Sequence, residues 1–325
     1  MTVSLTRRTA FASAAAMALG WKRARAADYP TRPVRVIVPF APAGPTDIMA
    51  RILANQLGAK LNGSVIVENR PGAGGNIGTA VVARAEPDGY TLLIDSSAFT
   101  VNPSLYKRCP YDPVKDFAPI GELGTSPNVF VASPGSGITS IQQLVARCKA
   151  DPSAISYANP GIGTTPQLSG ELLKLVAGIN MTSVPFGGAG PAVQAVLGST
   201  TPVACVALPP ARPLIASGGL VPLAVTGEKR WFDLPDTPTM VELGYGDFIA
   251  ETFQAFLAPA NTPQPILAAL STATLAILRD PVIVAQLHGN GLDVVASTPE
   301  AFAKRIVADV EKWRDVIAKA RIPQV

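Results

Sequence analysis

Four short segments of this sequence have the composition of anion-binding loops. Each follows a predicted strand, is rich in glycine or hydroxyl residues, and contains neither lysine nor arginine. Such loops let backbone N–H groups approach a carboxylate closely, and a helix N-terminus adds partial positive charge. The segments are residues 43–47, 96–98, 161–165 and 187–190. Their spacing after strands predicts non-covalent binding of a small organic carboxylate.

The candidate ligand-binding residues come from these loops. They are Ala43, Gly44, Thr46, Asp47, Ser96, Ser97, Gly163, Thr164, Thr165, Gly188 and Ala189. Thr46 has the residue type of a helix N-cap. Asp47 is expected either to hold backbone amides, as an architectural residue, or to discriminate an amino group on the ligand, because a free anion beside the ligand's carboxylate would repel it. The alternative is that the loops are ordinary strand-to-helix turns, with glycine supplying positive φ and threonine capping. Arg212 either faces the cleft and meets a second carboxylate or lies on the solvated surface.

The sequence does not show the residue patterns expected for enzyme catalysis, cofactor binding or metal binding. His288 is the only histidine, and no serine or cysteine nucleophile has a histidine in its motif, so no enzyme activity is expected. The glycine-rich run at residues 72–78 has the spacing GxGxxxG and does not directly follow a strand, so it predicts a helix entry rather than a nucleotide or other cofactor site. Cys109, Cys148 and Cys205 are too far apart for a metal set, and either three free thiols or one disulfide remains open.

Residues 1–26 have the pattern of an export signal. Arg7 and Arg8 precede an apolar run of about a dozen residues, which is too short to span a bilayer, and a small-x-small site ends at Ala26. The pattern leaves twin-arginine and general secretory export equally open. The segment carries five of the 27 Lys+Arg, so the mature chain has net charge −1 and gives no support to nucleic-acid binding. A cleaved signal peptide predicts a periplasmic protein.

The remaining sequence alternates short β-rich runs with helical patterns, which predicts α/β architecture with mainly parallel sheets. The length of 325 residues indicates two domains. The predicted strands cover residues 34–38, 65–67, 91–95, 129–131, 155–157, 181–184, 203–207, 223–225 and 253–257. The predicted helices begin near residues 46, 76, 140, 164, 263 and 299.

An ordered series of motifs covers nearly the whole mature chain. In chain order they are YPTRPV from Tyr29, VPF from Val38, GPTD from Gly44, VENRPGAGGNIG from Val67, PDGYTL from Pro87, NPSLY from Asn102, PYDPVKDF from Pro110, VPFGG from Val184 and LPDTPT from Leu234. In this series the chain resembles the Bug-type periplasmic solute-binding receptors of tripartite tricarboxylate transporters. It departs from the family pattern at Ala43, where glycine is usual, and at Gln167, where histidine is frequent.

The resemblance implies a type II periplasmic-binding-protein fold, with two lobes that close on a ligand around a hinge of two crossing segments. It places lobe I at residues 27–126 and 252–325, and lobe II at residues 127–251, with crossings near residues 125–128 and 251–253. It implies that the four loops converge on a carboxylate, and that the receptor, a monomer, delivers it to integral-membrane permease subunits. The alternative function is a carboxylate sensor for a signalling partner. Which carboxylate binds is left open.

Overall fold

The computed structural model describes residues 29–246, 248–319 and 322–325, so the predicted signal peptide lies outside the described residues. The strands are β1 (Val34–Val38), β2 (Val65–Asn69), β3 (Thr91–Ser96), β4 (Phe117–Ala132), β5 (Ser156–Asn159), β6 (Thr182–Pro185), β7 (Val203–Ala207), β8 (Val221–Val225), β9 (Glu251–Pro259) and β10 (Asp293–Val294). The helices are α1 (Pro45–Lys60), α2 (Asn76–Ala83), α3 (Ala98–Leu105), α4 (Ile141–Ala150), α5 (Thr165–Ala177), α6 (Ala189–Leu197), α7 (Leu208–Ala216), α8 (Gln264–Leu278), α9 (Pro281–Gly289) and α10 (Pro299–Lys319).

Two α/β lobes share the long strands β4 and β9. In lobe I the order is β2-β1-β3-β9-β4, and in lobe II β4 continues into β7-β5-β6, with β8 also paired to β4. The two strands pair where one lobe passes into the other, at Thr125 with Phe253 and Ser126 with Thr252. The chain therefore has the two-lobed periplasmic-binding-protein fold with two adjacent crossing strands.

Parallel pairing is found where the βαβ pattern predicted it, between β1 and its two neighbours and between β5 and its two neighbours. The strands β4 and β9 instead pair antiparallel with their neighbours. β4 leaves lobe I for lobe II and β9 returns to lobe I, so the direction of both strands is set by the connection between lobes rather than by a crossover helix.

Helices cover both faces of the sheet in each lobe. In lobe I, Met49, Leu53 and Leu57 of α1 pack with β1 and α8, while Phe99 and Phe302 pack on the opposite face. In lobe II, α4 and α5 cover one face and α6 and α7 the other. This layered burial leaves the carboxyl ends of the parallel strands pointing into the space between the lobes, where ligands bind in such folds.

The sequence patterns missed α3, α6 and α7. Helix α3 is only eight residues long and contains Pro103, and α7 contains three prolines, so neither shows a clear helical period. Buried apolar contacts maintain these helices against their weak local preference.

Among the described residues, no single helix is long and apolar enough to cross a membrane. Helices α8 and α9 would satisfy length and composition together, but a 74° bend separates them.

Candidate functional site

A narrow cleft lies between the lobes, with about 350 Å³ of empty space that is partly open to solvent. The N-termini of α1 and α3 approach it from lobe I, and those of α5 and α6 from lobe II. It is lined by Phe40, Gly44, Pro45, Thr46, Ser96, Pro160, Thr164, Thr165, Pro166, Ala189, Ala207 and Thr252. Six of the residues proposed from the sequence are in this wall, and none of the lining residues carries a charge.

Helix α1 begins two residues earlier than the sequence indicated. Gly44 is the N-cap, Pro45 is the first helical residue, and Thr46 lies inside the first turn. The expectation that Thr46 caps this helix is therefore wrong, because Pro45 has the fixed φ that suits the first helical position. Thr46 is 2% exposed and is one of the residues that line the cleft.

Asp47 lies beneath this loop and holds it from below. Its carboxylate accepts from Ala43 N at 3.0 Å, Arg51 Nε at 2.9 Å and Asn69 Nδ2 at 2.8 Å. Burial acts to raise the pKa of Asp47, but these hydrogen bonds outweigh it and the pKa is lowered. Asp47 does not line the cleft, which is consistent with a role in holding the loop rather than in contacting a ligand.

Ala43 is exposed and adopts φ +68, the left-handed region that favours glycine. It faces a second groove between the lobes, which Arg212 also lines. Arg212 makes an ion pair with Asp233 and is absent from the cleft wall, so in the closed structure it lies outside the site.

Ser96 and Ser97 end β3 at the start of α3. Ser96 Oγ accepts from Ala98 N at 3.2 Å and lines the cleft, while Ser97 is buried next to it. Behind them, Asp95 accepts from Ser96 N at 2.7 Å and contacts Thr79 Oγ1 at 2.6 Å. Complete burial raises the pKa of Asp95 to about 7.

The second-lobe loop presents Thr164 and Thr165 at the start of α5. Thr164 is the N-cap residue, and its hydroxyl donates to Gly161 O at 2.7 Å. Gly163 lies outside the cleft wall, and its N–H donates to Gln167 Oε1 at 3.3 Å. Gln167 therefore braces the loop from within the protein. Gly188 is the N-cap of α6, and Ala189 lines the cleft.

The glycine-rich run at residues 72–78 forms a contact between lobes. We call the outer contact surface the rim; it comprises Ala41, Gly74, Tyr106, Ile162 and Gly187. Ala41 N donates to Gly187 O at 2.9 Å, and Tyr106 Oη donates to Ile162 O at 3.2 Å. A Cβ at Gly74 would lie 2.1 Å from Ile162 O. Only glycine lets the lobes meet here, which explains the motif without a cofactor.

The hinge side of the cleft closes through side chains. We call this surface the floor; it comprises Ser97, Asn128, Thr165 and Thr252. Thr165 Oγ1 lies 3.3 Å from Ser97 Oγ and 2.6 Å from Thr252 Oγ1, and Thr252 donates to Asn128 Oδ1 at 2.8 Å. Thr252 and Asn128 belong to the crossing strands, so the cleft is connected to the hinge by hydrogen bonds.

Sequence reasoning missed Thr252, Phe40, Ala207 and the three prolines of the wall. Thr252 falls in the segment expected to cross between lobes, and its hydroxyl type was the available signal. The prolines and Phe40 carry no polar signal, and only the meeting of the lobes brings them to the cleft.

The cysteines and the single histidine lie away from the cleft wall. Cys148 and Cys205 are buried, Cys109 is partly exposed, and all three are free thiols. His288 stacks on Phe232 with ring centroids 4.2 Å apart. Within the part of the chain that the structure describes, no three metal-ligating side chains group together.

The two-lobed fold and its closed interlobe cleft define a solute-binding protein of the periplasmic-binding-protein class. A family model described as the tripartite tricarboxylate transporter family receptor matches residues 49–322. Protein BugT of Bordetella pertussis is 36% identical over 291 residues, 89% of each chain. The chain therefore belongs to this receptor family.

Two solved structures share the fold at high coverage. The periplasmic binding protein BugD is 37% identical with a TM-score of 0.88, covering 91% of this chain and 99% of its own. MatC from Rhodopseudomonas palustris, with bound malate, is 29% identical with a TM-score of 0.84, covering 89% of this chain and 100% of its own.

Proposed function

We propose that this chain is a periplasmic receptor that binds a small organic carboxylate and delivers it to the permease subunits of a tripartite transporter. The observation that carries the proposal is the uncharged cleft on which four helix N-termini converge. The N–H groups in the first turn of a helix have no partner within the helix and carry partial positive charge, which favours an anion. Pro45 of α1 and Pro166 of α5 contribute no N–H, so the remaining residues of these turns supply them. The bound malate of MatC supports the same ligand class.

The carboxylate is held by backbone amides of these helix starts and by hydroxyls on the lobe I side, chiefly Thr46 and Ser96. Hydrogen bonds to a charged group contribute about 1.5–3 kcal/mol each. Four such bonds give roughly 6–12 kcal/mol before the costs of association, and micromolar affinity needs about 8 kcal/mol. No arginine is required in the site.

The receptor works by closing its lobes around β4 and β9 near residues 125–128 and 251–253. The two strands are adjacent and hydrogen bonded at the crossing, so a rotation there moves whole lobes with little change inside either. We propose that the receptor acts as a monomer, since the four loops that form the cleft and both crossing strands belong to the same fold unit. The lining set contains no histidine and no nucleophile–base pair, which supports a receptor rather than an enzyme.

The signal pattern of residues 1–26 supports export to the periplasm, with the mature chain beginning near Ala27 or Asp28. Mass spectrometry of a periplasmic extract checks this, since an intact Met1 terminus there would contradict cleavage.

The test is a thermal-shift screen of mono- and dicarboxylates, followed by calorimetry of the best ligand on Thr46→Val. Loss of the hydroxyl should weaken binding by about 1–3 kcal/mol. Thr274→Val, a buried threonine on α8, is the matched control and should leave affinity unchanged. Tight binding of a neutral or cationic solute, with no carboxylate bound, would contradict the proposal.

A further inference from the structure

A hydrogen-bond chain that starts in the hinge determines which hydroxyls of the floor donate and which accept. It runs from Asn128 through Thr252 and Thr165 to Ser97. Each hydroxyl has one proton, so fixing one bond fixes the direction of the next.

The side-chain amide of Asn128 has only one acceptable orientation. One end lies 3.2 Å from Ala250 O, a carbonyl that can only accept. The same end lies 3.3 Å from Ser169 Oγ, whose own proton is donated to Thr165 O at 2.9 Å. Both partners need a donor, so this end is the NH₂ group and Oδ1 faces Thr252.

The direction of the chain follows. Asn128 Oδ1 can only accept, so Thr252 donates its proton to it over 2.8 Å. Thr252 is then an acceptor at its 2.6 Å contact, and Thr165 donates to it. Thr165 in turn can only accept from Ser97. No proton of Thr165 or Thr252 remains for a ligand.

The cleft hydroxyls therefore form two groups, one of donors and one of acceptors. Thr164 has also donated its proton, to Gly161 O at 2.7 Å. On the lobe I side, Ser96 Oγ accepts from Ala98 N and keeps its own proton. The Thr46 hydroxyl, at the cleft wall, makes no hydrogen bond to any other residue that the structure describes. Thr46 and Ser96 are donors, and Thr164, Thr165 and Thr252 are acceptors.

We propose that Asn128 is a positioning residue that presets Thr252 and Thr165 as hydrogen-bond acceptors, so that the site selects carboxylates carrying a hydroxyl donor over their deoxy counterparts. This rests on the proposed function. A ligand carboxylate binds on the lobe I side, where donors are free. A carboxylate oxygen placed against Thr165 would meet only lone pairs, whereas a ligand hydroxyl donates to them.

Neutron diffraction on perdeuterated crystals tests the direction without any ligand. The expected map has the deuterium of Thr252 on the line to Asn128 Oδ1 and that of Thr165 on the line to Thr252. A Thr252 deuterium directed at Thr165, or the ND₂ group of Asn128 facing Thr252, would overturn the proposal.

Calorimetry with L-malate and succinate, which differ by one hydroxyl, tests the selection. Thr165→Val is isosteric, and we expect the ratio of malate to succinate affinity to fall by about tenfold. Thr46→Val is the matched control: it removes a carboxylate donor, weakens both acids equally and leaves the ratio unchanged. A Thr165→Val protein with the wild-type ratio would refute the selection.

Asn128→Leu removes the acceptor that orients the chain, so Thr252 and Thr165 are free to donate to the cleft. The ratio should fall as in Thr165→Val, a result that a purely structural role of Asn128 would not give. Thermal melting confirms that the variant is folded, and if it is not, the neutron map decides. If wild-type protein binds neither acid, the proposal that the ligand is a small carboxylate of this size is contradicted. The neutron map still tests the direction of the hydroxyl protons.

Discussion

At the rim of the cleft every contact between the lobes involves a backbone atom, whereas at the floor the lobes meet through side-chain hydroxyls alone. The rim uses Ala41 N with Gly187 O and the close approach of Gly74 to Ile162 O. The floor uses the hydroxyls of Ser97, Thr165 and Thr252. Where backbone atoms are in close contact, an added side chain would clash. Where hydroxyls are in contact, an isosteric substitution such as threonine to valine fits, but it removes a hydrogen-bond donor and acceptor. Rim substitutions should therefore act on closure, and floor substitutions on ligand selection.

The largest effect is expected at the rim, from Gly74→Ala. The new Cβ would lie 2.1 Å from Ile162 O, so the lobes cannot reach the closed state. We expect ligand affinity to fall by about 10- to 100-fold. Small-angle scattering at saturating ligand should show less compaction than for wild type.

The matched control is Gly178→Ala at the end of α5. Gly178 has φ +59, close to the +61 of Gly74, but no atom within 4 Å of the new Cβ. It shares the backbone strain and lacks the clash, so its affinity should equal that of wild type. Equal weakening in both variants would mean that strain, not closure, is responsible.

A second prediction concerns Asp95, which supports the floor from behind Ser96. Thr79 has one hydroxyl proton and two oxygen neighbours, Gly75 O at 2.9 Å and Asp95 Oδ2 at 2.6 Å. A neutral Asp95 satisfies both, because it donates to Thr79 and Thr79 donates to Gly75. This geometry agrees with burial raising the pKa of Asp95 to about 7.

The sign of the pH dependence follows from the raised pKa. Below about pH 4 the carboxyl is neutral in both states. Between about pH 4 and 7 only the unfolded state loses the proton, so the free energy of unfolding falls by up to about 1.4 kcal/mol per pH unit. Above pH 7 this loss is complete. Asp95→Asn should remove the loss.

Urea unfolding from pH 4.5 to 7.5 measures this dependence. The stability of Asp95→Asn relative to wild type should rise with pH across this window. Asp236→Asn, on an exposed loop, is the control and should keep the wild-type slope. Parallel pH profiles for wild type and Asp95→Asn would show that Asp95 is ionised in the folded protein.

The smallest effect is expected from Ala43→Gly, beside the rim. Ala43 has φ +68, which costs an alanine roughly 1 kcal/mol and costs glycine nothing. The gain is partly offset by the larger entropy of unfolded glycine, so we expect about 0.5 kcal/mol of stabilisation in urea unfolding. Ala154→Gly, in a loop without positive φ, should instead destabilise. Destabilisation of both variants would contradict strain at Ala43.

The sequence by itself determined several of the strands and their following loops, and it predicted the anionic class of ligand that we propose. β1 and β7 are found with the predicted bounds, because short apolar β-branched runs bounded by turns leave few alternatives. The four loops were identifiable because glycine and hydroxyl residues directly follow strands. The motif series also indicated the family, to which the chain belongs.

The tertiary structure alone decided which groups face the ligand and what each can do. Phe40 and Thr252 enter the wall, and Ala43 and Arg212 leave it, because the lobes meet at contacts between residues far apart in sequence. Thr46 is inside a helical turn rather than at its cap because Pro45 takes the first position. The polarity of Thr165 depends on Asn128, 37 positions earlier in the chain. The sequence shows where serine and threonine hydroxyls occur, but the direction of each hydroxyl proton is set by neighbours that only folding brings together.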